Sequence, residues 1–336
     1  MTAYHIGIDL HKTVAQVCVR NAEGAIEKET RLGIPDAAGG HALVAWLLAY
    51  RVDGRFAVEA VGCNRWLVNA LQAQGADVLV ADATKLDLRK LGKKTDRRDA
   101  REIARRLWLG DLDRYAKTYY PTDAEYGHRK LLRVRHMQLK KRTSTIGQIR
   151  GLLNAYLLRP EGSQMWTWKC IAWLRKQTLP SAELDFTLQL LVDDLESVQR
   201  QILAMDKRIK ELAARDEEAV LWMKVLPSMG PQTALKLKAE LGDATRFRSA
   251  RAVAGYAGVA PRVFASADKA HHGRVTKNGN AEVRWILGQW AVRLLAFDST
   301  VKAWARPMLR RMHKNKIRTA LTRRLLIGVW VMLTRG

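Results

Sequence analysis

The chain has 336 residues, with 58 Lys and Arg against 33 Asp and Glu, a formal net charge of +25. A field of that sign has no use in handling neutral small molecules and attracts polyanions, nucleic acid first. Hydrophobic residues make up 48% and 11 residues are Trp, enough to build packed cores and to exclude a disordered chain.

Length points to two or three domains. Cys18, Cys63 and Cys170 are odd in number and widely spaced. They form neither a zinc pattern nor a disulfide framework, which points to a reducing compartment. The first 12 residues lack the apolar run of a signal peptide, and the apolar run 325–333 falls short of the ~20 residues of a membrane helix. A cytoplasmic, nucleoid-associated protein with no membrane partner is expected. The charge is segregated. Residues 1–82 carry a net −2, 83–150 carry +12, 161–220 carry −3, 221–300 carry +7 and 301–336 carry +10.

In chain order, residues 4–9 and 14–20 alternate or are β-branched, and 25–32 follow a Glu23-Gly24 turn as a third strand. Residues 37–48 have helical spacing, 56–59 form a short buried strand, 67–74 a helix and 77–80 a strand. Three meandering strands followed by helix–strand–helix–strand is the order of a ribonuclease-H-like fold. Residues 96–108 read as one helix with Ala100, Ile103, Ala104 and Leu107 as its apolar stripe and Thr95 as N-cap. A long helix spans 124–158. From Leu184 to Leu212, nine apolar residues repeat at 4,3,4,3 spacing, the signature of a coiled coil. Such a seam closes either against another helix of the chain or against a second copy, and its regularity favours the second copy.

Four carboxylates draw attention. Asp9 and Glu59 end strands, and Asp96 and Asp99 lie three apart on one helix. In a ribonuclease-H-like sheet the first and fourth strands are neighbours and a late helix crosses their carboxylate end, so all four converge. Hard oxygen donors on rigid elements suit Mg²⁺, and two ions can clamp the attacking and leaving oxygens of a phosphoryl transfer. The cations beside them, Lys93, Lys94, Arg97, Arg98 and Arg101, suit a site that admits phosphate.

Residues 226–234 (LPSMGPQTA) resemble the turn of a helix–hairpin–helix, with Gly230 letting backbone N–H groups approach a phosphate. Residues 254–266 (GYAGVAPRVFAS) follow, then a polar loop over 269–280 and a helix. Arg262, Arg274, Lys277 and Arg284 are candidate nucleic-acid contacts. Trp166, Trp168, Tyr119 and Tyr120 are candidates for stacking on unpaired bases.

Taken together, GIDLHK, VEAVG, KTDRRDA, LPSMGPQTA, GYAGVAPRVFAS and GRVTKNGNAEVR, in that order, resemble the DEDD transposases of the insertion-sequence "one-ten" family. The "eleven-eleven" subgroup and the pilin-gene invertases belong to the same group. The resemblance implies a RuvC-like DEDD domain over 1–115, a helical coiled-coil domain over 116–220 and a mainly helical transposase domain over 221–336. It implies a recombinase that pairs target and donor double-stranded DNA through a structured noncoding guide RNA. The metal-binding and catalytic tetrad maps onto Asp9, Glu59, Asp96 and Asp99, and the nucleophilic serine onto Ser266. That serine is flanked here by Ala265 and Ala267 where the family often has Glu and Gly, leaving Ser249 and Thr276 as other hydroxyls to weigh. A homo-oligomer, a dimer or a tetramer in the synaptic complex, is expected. An invertase without guide RNA and a RuvC-like junction nuclease are the alternative readings.

Overall fold

The computed structural model describes residues 3–82, 85, 95–160, 162, 164–266, 269–276 and 278–335. The contacts group the chain into two compact units, Met1–Tyr120 and Pro121–Gly336, where the sequence reading has three domains.

The first unit is a five-stranded sheet in the order β3-β2-β1-β4-β5. Its strands are β1 (Tyr4–Leu10), β2 (Val14–Arg20), β3 (Ile26–Gly33), β4 (Gly54–Glu59) and β5 (Asp77–Ala81). β1 to β3 form an antiparallel meander, with Asp9 opposite Gln16. β4 pairs parallel to β1, placing Ile8 beside Val58, and β5 pairs parallel to β4.

Side chains alternate across a strand. Ile6, Ile8 and Leu10 therefore share one face, where they pack with Phe56 and Val58 against Leu43 and Leu47 of α1 (Ala37–Leu48) and Leu67 and Leu71 of α2 (Arg65–Ala73). Each such side chain contributes about 1.5–3 kcal/mol on burial. The opposite face carries Gly7, Asp9, Ala57 and Glu59. Helix α3 (Asp96–Trp108) covers it with Ala100, Ile103, Ala104 and Leu107. The approach is close because of Gly7: a Cβ there would lie 2.4 Å from the Ala100 carbonyl oxygen and the Ala104 nitrogen. The unit extends past residue 115 to Tyr120. Lys117 bridges Ala81, the Thr118 N–H donates to the Val80 carbonyl, and the Tyr120 hydroxyl donates to Asn69.

The second unit begins with α4 (Asp123–Ala155), opened by a Thr122/Glu125 capping box. The short α5 (Trp168–Leu174) and then α6 (Ala182–Arg215) follow. α4 and α6 lie antiparallel, as their partners show. Leu132 packs with Ile209, and Arg135 pairs with Asp206. Arg142 donates to Gln199, and both Lys141 and Thr145 meet Asp194. Five residues of the α6 heptad seam, Leu188, Leu195, Val198, Ile202 and Ile209, are buried in this chain. Leu188 and Leu195 pack with Ile146, Ile149, Leu153 and Ile171, so the seam meets α4 within the chain, the first of the two pairings weighed from sequence. Trp166 is part of that packing, under the Arg142 guanidinium at 4.5 Å, whereas Trp168 is exposed.

Next come α7 (Glu217–Val225), α8 (Pro231–Leu241), α9 (Ala250–Tyr256), the hairpin β6 (Pro261–Ser266) and β7 (Lys269–Val275), α10 (Ala281–Phe297), α11 (Ser299–Leu309) and α12 (Lys314–Arg335). Residues 269–275, read from sequence as loop, are strand paired to β6, with Phe264 opposite His271 and Ser266 opposite Lys269. Trp222, Leu237, Ile286, Leu287, Trp290, Leu294, Leu326 and Val329 form the core of these helices. Leu235 of α8 joins Leu132 and Ile209, so the helix pair and the C-terminal helices share one unit.

A polar network runs through this unit. Lys236, fully buried, pairs with Glu282, which also meets His136 Nδ1 at 3.0 Å. The His136 ring stacks on Trp285 at 4.0 Å. Glu240, 1% exposed, accepts from Arg133 and from Asn280 Nδ2 at 2.8 Å. Asn280 caps α10 by accepting from the Glu282 and Val283 N–H groups. Gly279 before it has φ +142 and presses on the Tyr256 carbonyl, where a Cβ would stand at 2.5 Å.

Candidate metal centre

The site is built by the end of β1 and the start of α3. Asp9 is the next-to-last residue of β1 and points to the α3 face. Thr95 caps α3 by accepting from the Arg98 N–H, which places Asp96 and Asp99 in the first turn, where the helix dipole favours negative charge. Asp9 and Asp99 are each 3% exposed, and Asp96 is exposed. Glu59 ends β4 one position beyond the Ile8–Val58 pair, beside Asp9.

Burial, more than any other cause, raises the Asp9 carboxyl to about 6. His11 opposes the rise, and the charges of Asp96, Asp99 and Glu59 add to it. The four carboxylates named from sequence are thus brought into one electrostatic neighbourhood. Asp9 Oδ2 is buried and, among the described residues, accepts no hydrogen bond. A buried carboxylate oxygen that accepts no hydrogen bond among the described residues, beside further carboxylates at the rigid end of a sheet, fits a hard divalent cation.

A residue that sequence reasoning missed completes the group. His11, two positions after Asp9, sits in the turn closed by its N–H to the Val14 carbonyl at 2.8 Å. Its Nε2 lies 3.3 Å from Asp9 Oδ2 and 3.3 Å from Asp96 Oδ1. One ligand atom from each of Asp9, His11 and Asp96 falls within 4.8 Å of the others. The signal was present as Asp-x-His at a strand end, since a two-residue spacing keeps both side chains on one face.

The candidate nucleic-acid contacts fare differently. Arg97 and Arg101 both bind the Glu29 carboxylate on β3, Arg97 Nη2 at 2.6 Å. Those guanidiniums hold Glu29 down to about 2. Arg98 is exposed. Lys93, Lys94 and Lys277 lie outside the described residues.

Gly230 is the N-cap of α8 with φ −106. The positive φ of that turn belongs to Ser228, at +56. Trp290 Nε1 donates to the Pro227 carbonyl and pins it. Arg284 Nη1 donates to the Ala257 carbonyl, and its side chain lines a cavity of about 290 Å³ with Arg318 and Thr322. Arg262 lies in β6 and Arg274 in β7. Ser266 is the last residue of β6, in the second unit. The Ser249 hydroxyl is engaged as the cap of α9, accepting from the Ala252 N–H.

Residues 6–158 match the DEDD family model of IS110 type, described as Transposase, and residues 223–306 match the Transposase IS116/IS110/IS902 family. The chain carries transposase domains of the IS110/IS116/IS902 family. The first match spans Asp9, Glu59, Asp96 and Asp99, and the second spans Ser266 and Arg284. The transposase for insertion sequence element IS1111A of Coxiella burnetii is 25% identical, over 98% of this chain and 89% of that protein. A probable family 20 transposase of Pseudomonas aeruginosa is 24% identical, over 83% of each. The transposase for insertion sequence element IS1328 of Yersinia enterocolitica is 29% identical, over 40% of this chain and 42% of that protein. Among the described residues, no helix of this transposase chain is long and apolar enough to cross a membrane.

Proposed function

We propose that the chain cuts and rejoins DNA strands for an insertion sequence, guided by a structured noncoding RNA, with a DEDD metal site and Ser266 as nucleophile. The observation that carries this reading is buried Asp9 at the end of β1 of the 3-2-1-4-5 sheet, grouped with Asp96 and under the charges of Asp99 and Glu59. That strand order is the one expected of a RuvC-like domain. The turn between α7 and α8 supports a helix–hairpin–helix role in holding a phosphate at the α8 N-terminus. The net +10 of residues 301–336, with no acidic residue, supports contact with nucleic acid.

Asp9, Glu59, Asp96 and Asp99 would hold Mg²⁺, which when bound polarises the scissile phosphate and neutralises its charge. Ser266 Oγ attacks phosphorus. The Oγ–phosphorus bond forms as the phosphorus–O3′ bond breaks, the 3′ oxygen leaving as a hydroxyl with the proton lost from Ser266. The freed 3′-hydroxyl attacks the phosphoserine on the partner strand, releasing serine. One phosphodiester is exchanged for another, so no ATP is consumed.

The test is a nicked DNA substrate, incubated with the full chain and with RNA transcribed from the flanking noncoding DNA. A phosphoserine-linked protein–DNA adduct is expected, and Ser266→Ala should abolish it. An adduct that persists in Ser266→Ala removes the serine assignment. Cleavage with no adduct in the wild type favours water as the nucleophile. Sequencing of co-purified RNA tests the guide: a single nuclease-protected species supports it, and its absence favours an invertase without guide.

A further inference from the structure

We propose that His11 is a direct ligand of the divalent cation held by Asp9 and Asp96, making a mixed nitrogen–oxygen centre that favours Mn²⁺ over Mg²⁺. The inference rests on the metal-site reading above and concerns which atoms complete it.

The geometry carries it. His11 Nε2 stands 3.3 Å from each of two carboxylate oxygens on different elements, the end of β1 and the start of α3. Both spacings are longer than the ~2.7–2.9 Å to which a charge-assisted N–H···O bond closes. Two donors each ~2.1 Å from one cation, at the angles of a tetrahedral or octahedral shell, lie about 3–3.4 Å apart. The observed separations fall in that range. The second observation is Asp9 Oδ2. It is buried at 3% residue exposure and, among the described residues, accepts no hydrogen bond, although a histidine nitrogen faces it. An oxygen so placed lacks a partner that the imidazole does not supply, and a cation shared with Nε2 would supply it.

The backbone holds the imidazole for this role. The His11 N–H is tied to the Val14 carbonyl in a tight turn between β1 and β2, so the side chain departs from a fixed strand end. Asp96 is exposed, so the centre stays open on one side for water or a phosphate oxygen, as a catalytic metal site requires.

The chemical consequence is selectivity. Carboxylate oxygens alone suit Mg²⁺, whereas an imidazole nitrogen raises affinity for first-row transition ions. Mn²⁺ accepts both donor types and is paramagnetic, so its ligands can be read directly.

The experiment uses the full chain, titrated with Mn²⁺ and with Mg²⁺ by calorimetry, and with Mn²⁺ under pulsed electron paramagnetic resonance. A ¹⁴N modulation from a bound imidazole is expected, converting to the ¹⁵N pattern when histidine is ¹⁵N-labelled. His11→Gln should lose the modulation and weaken Mn²⁺ binding on the order of tenfold, with Mg²⁺ binding changed by less than about threefold. Mn²⁺ bound to the wild type without nitrogen modulation, or modulation retained in His11→Gln, overturns the proposal and leaves the carboxylate site standing. Mn²⁺ binding undiminished in Asp9→Asn overturns the metal-site reading itself. The wild-type spectrum decides the matter even where a variant fails to fold.

Discussion

Gly7 lies directly beneath Ala104, so close that a methyl group at Gly7 would meet the Ala104 amide nitrogen at 2.4 Å. The helix backbone cannot yield as a side-chain tip can. Gly7→Ala should therefore lift α3 from the sheet, at about 1–3 kcal/mol for overpacking. Because Asp96 and Asp99 ride on α3, divalent-cation affinity should fall by at least tenfold as well. Thermal melting and calorimetric titration measure both, with Gly62→Ala as control because no atom lies within 4 Å of its added Cβ. Equal melting and equal affinity in the two variants would show that the close approach does not position the site.

Asp9 gives a pH signature. Its carboxyl is raised from 3.8 to about 6 by burial first and by neighbouring carboxylates after that. A raised acid binds its proton more tightly in the folded state, so metal-free stability falls as pH rises from about 4 to about 6 and is level above. The loss is of order 3 kcal/mol. Asp9→Asn should melt higher than wild type at pH 7.5 in chelator and lose the slope between pH 4 and 6. A variant that melts lower, or that keeps the slope, contradicts this account.

The Glu29 cluster has the opposite sign. Hydrogen bonds from Arg101 and then Arg97 hold Glu29 at about 2, against an ordinary 4.5. The stability it contributes is present above pH 4.5 and is lost as pH falls toward 2. Glu29→Gln should flatten acid denaturation in that window. It should also release two guanidiniums, and the slope of log affinity for DNA against log salt should steepen by up to about two if both then reach phosphate. An unchanged slope would mean that the freed arginines do not contact DNA.

Glu240 tests the second unit. It is 1% exposed and held by Arg133 and Asn280. Glu240→Ala strands those donors and should cost about 3–5 kcal/mol in urea denaturation. Lys141→Ala removes a solvent-exposed partner of Asp194 and should cost less than about 1 kcal/mol. Similar losses in the two variants would show that burial does not set the scale.

The sheet was legible from residues because its strands alternate or are β-branched, and the carboxylates because they end strands or fall three apart on a helix. The strand over 269–275 was not: Lys, Gly and His have weak strand preference, and only pairing with β6 makes them extended. Arg97 and Arg101 looked available because Glu29, 68 and 72 residues away, is invisible to local reading. His11 was passed over because Asp-x-His at a strand end is a short signal, and its meeting with Asp96 depends on where α3 packs. Gly279 and Asn280 were read as the end of a polar loop, yet they shape and cap α10.

The heptad seam of α6 has a last consequence, in the terms of mass action. A seam closed between two molecules melts on dilution, since its partner helix is then a reactant whose concentration falls. Here α4 is supplied on the same chain, at an effective concentration that dilution leaves unchanged. The regular 4,3 spacing therefore keeps its helix folded in a cell that holds a single copy of the protein.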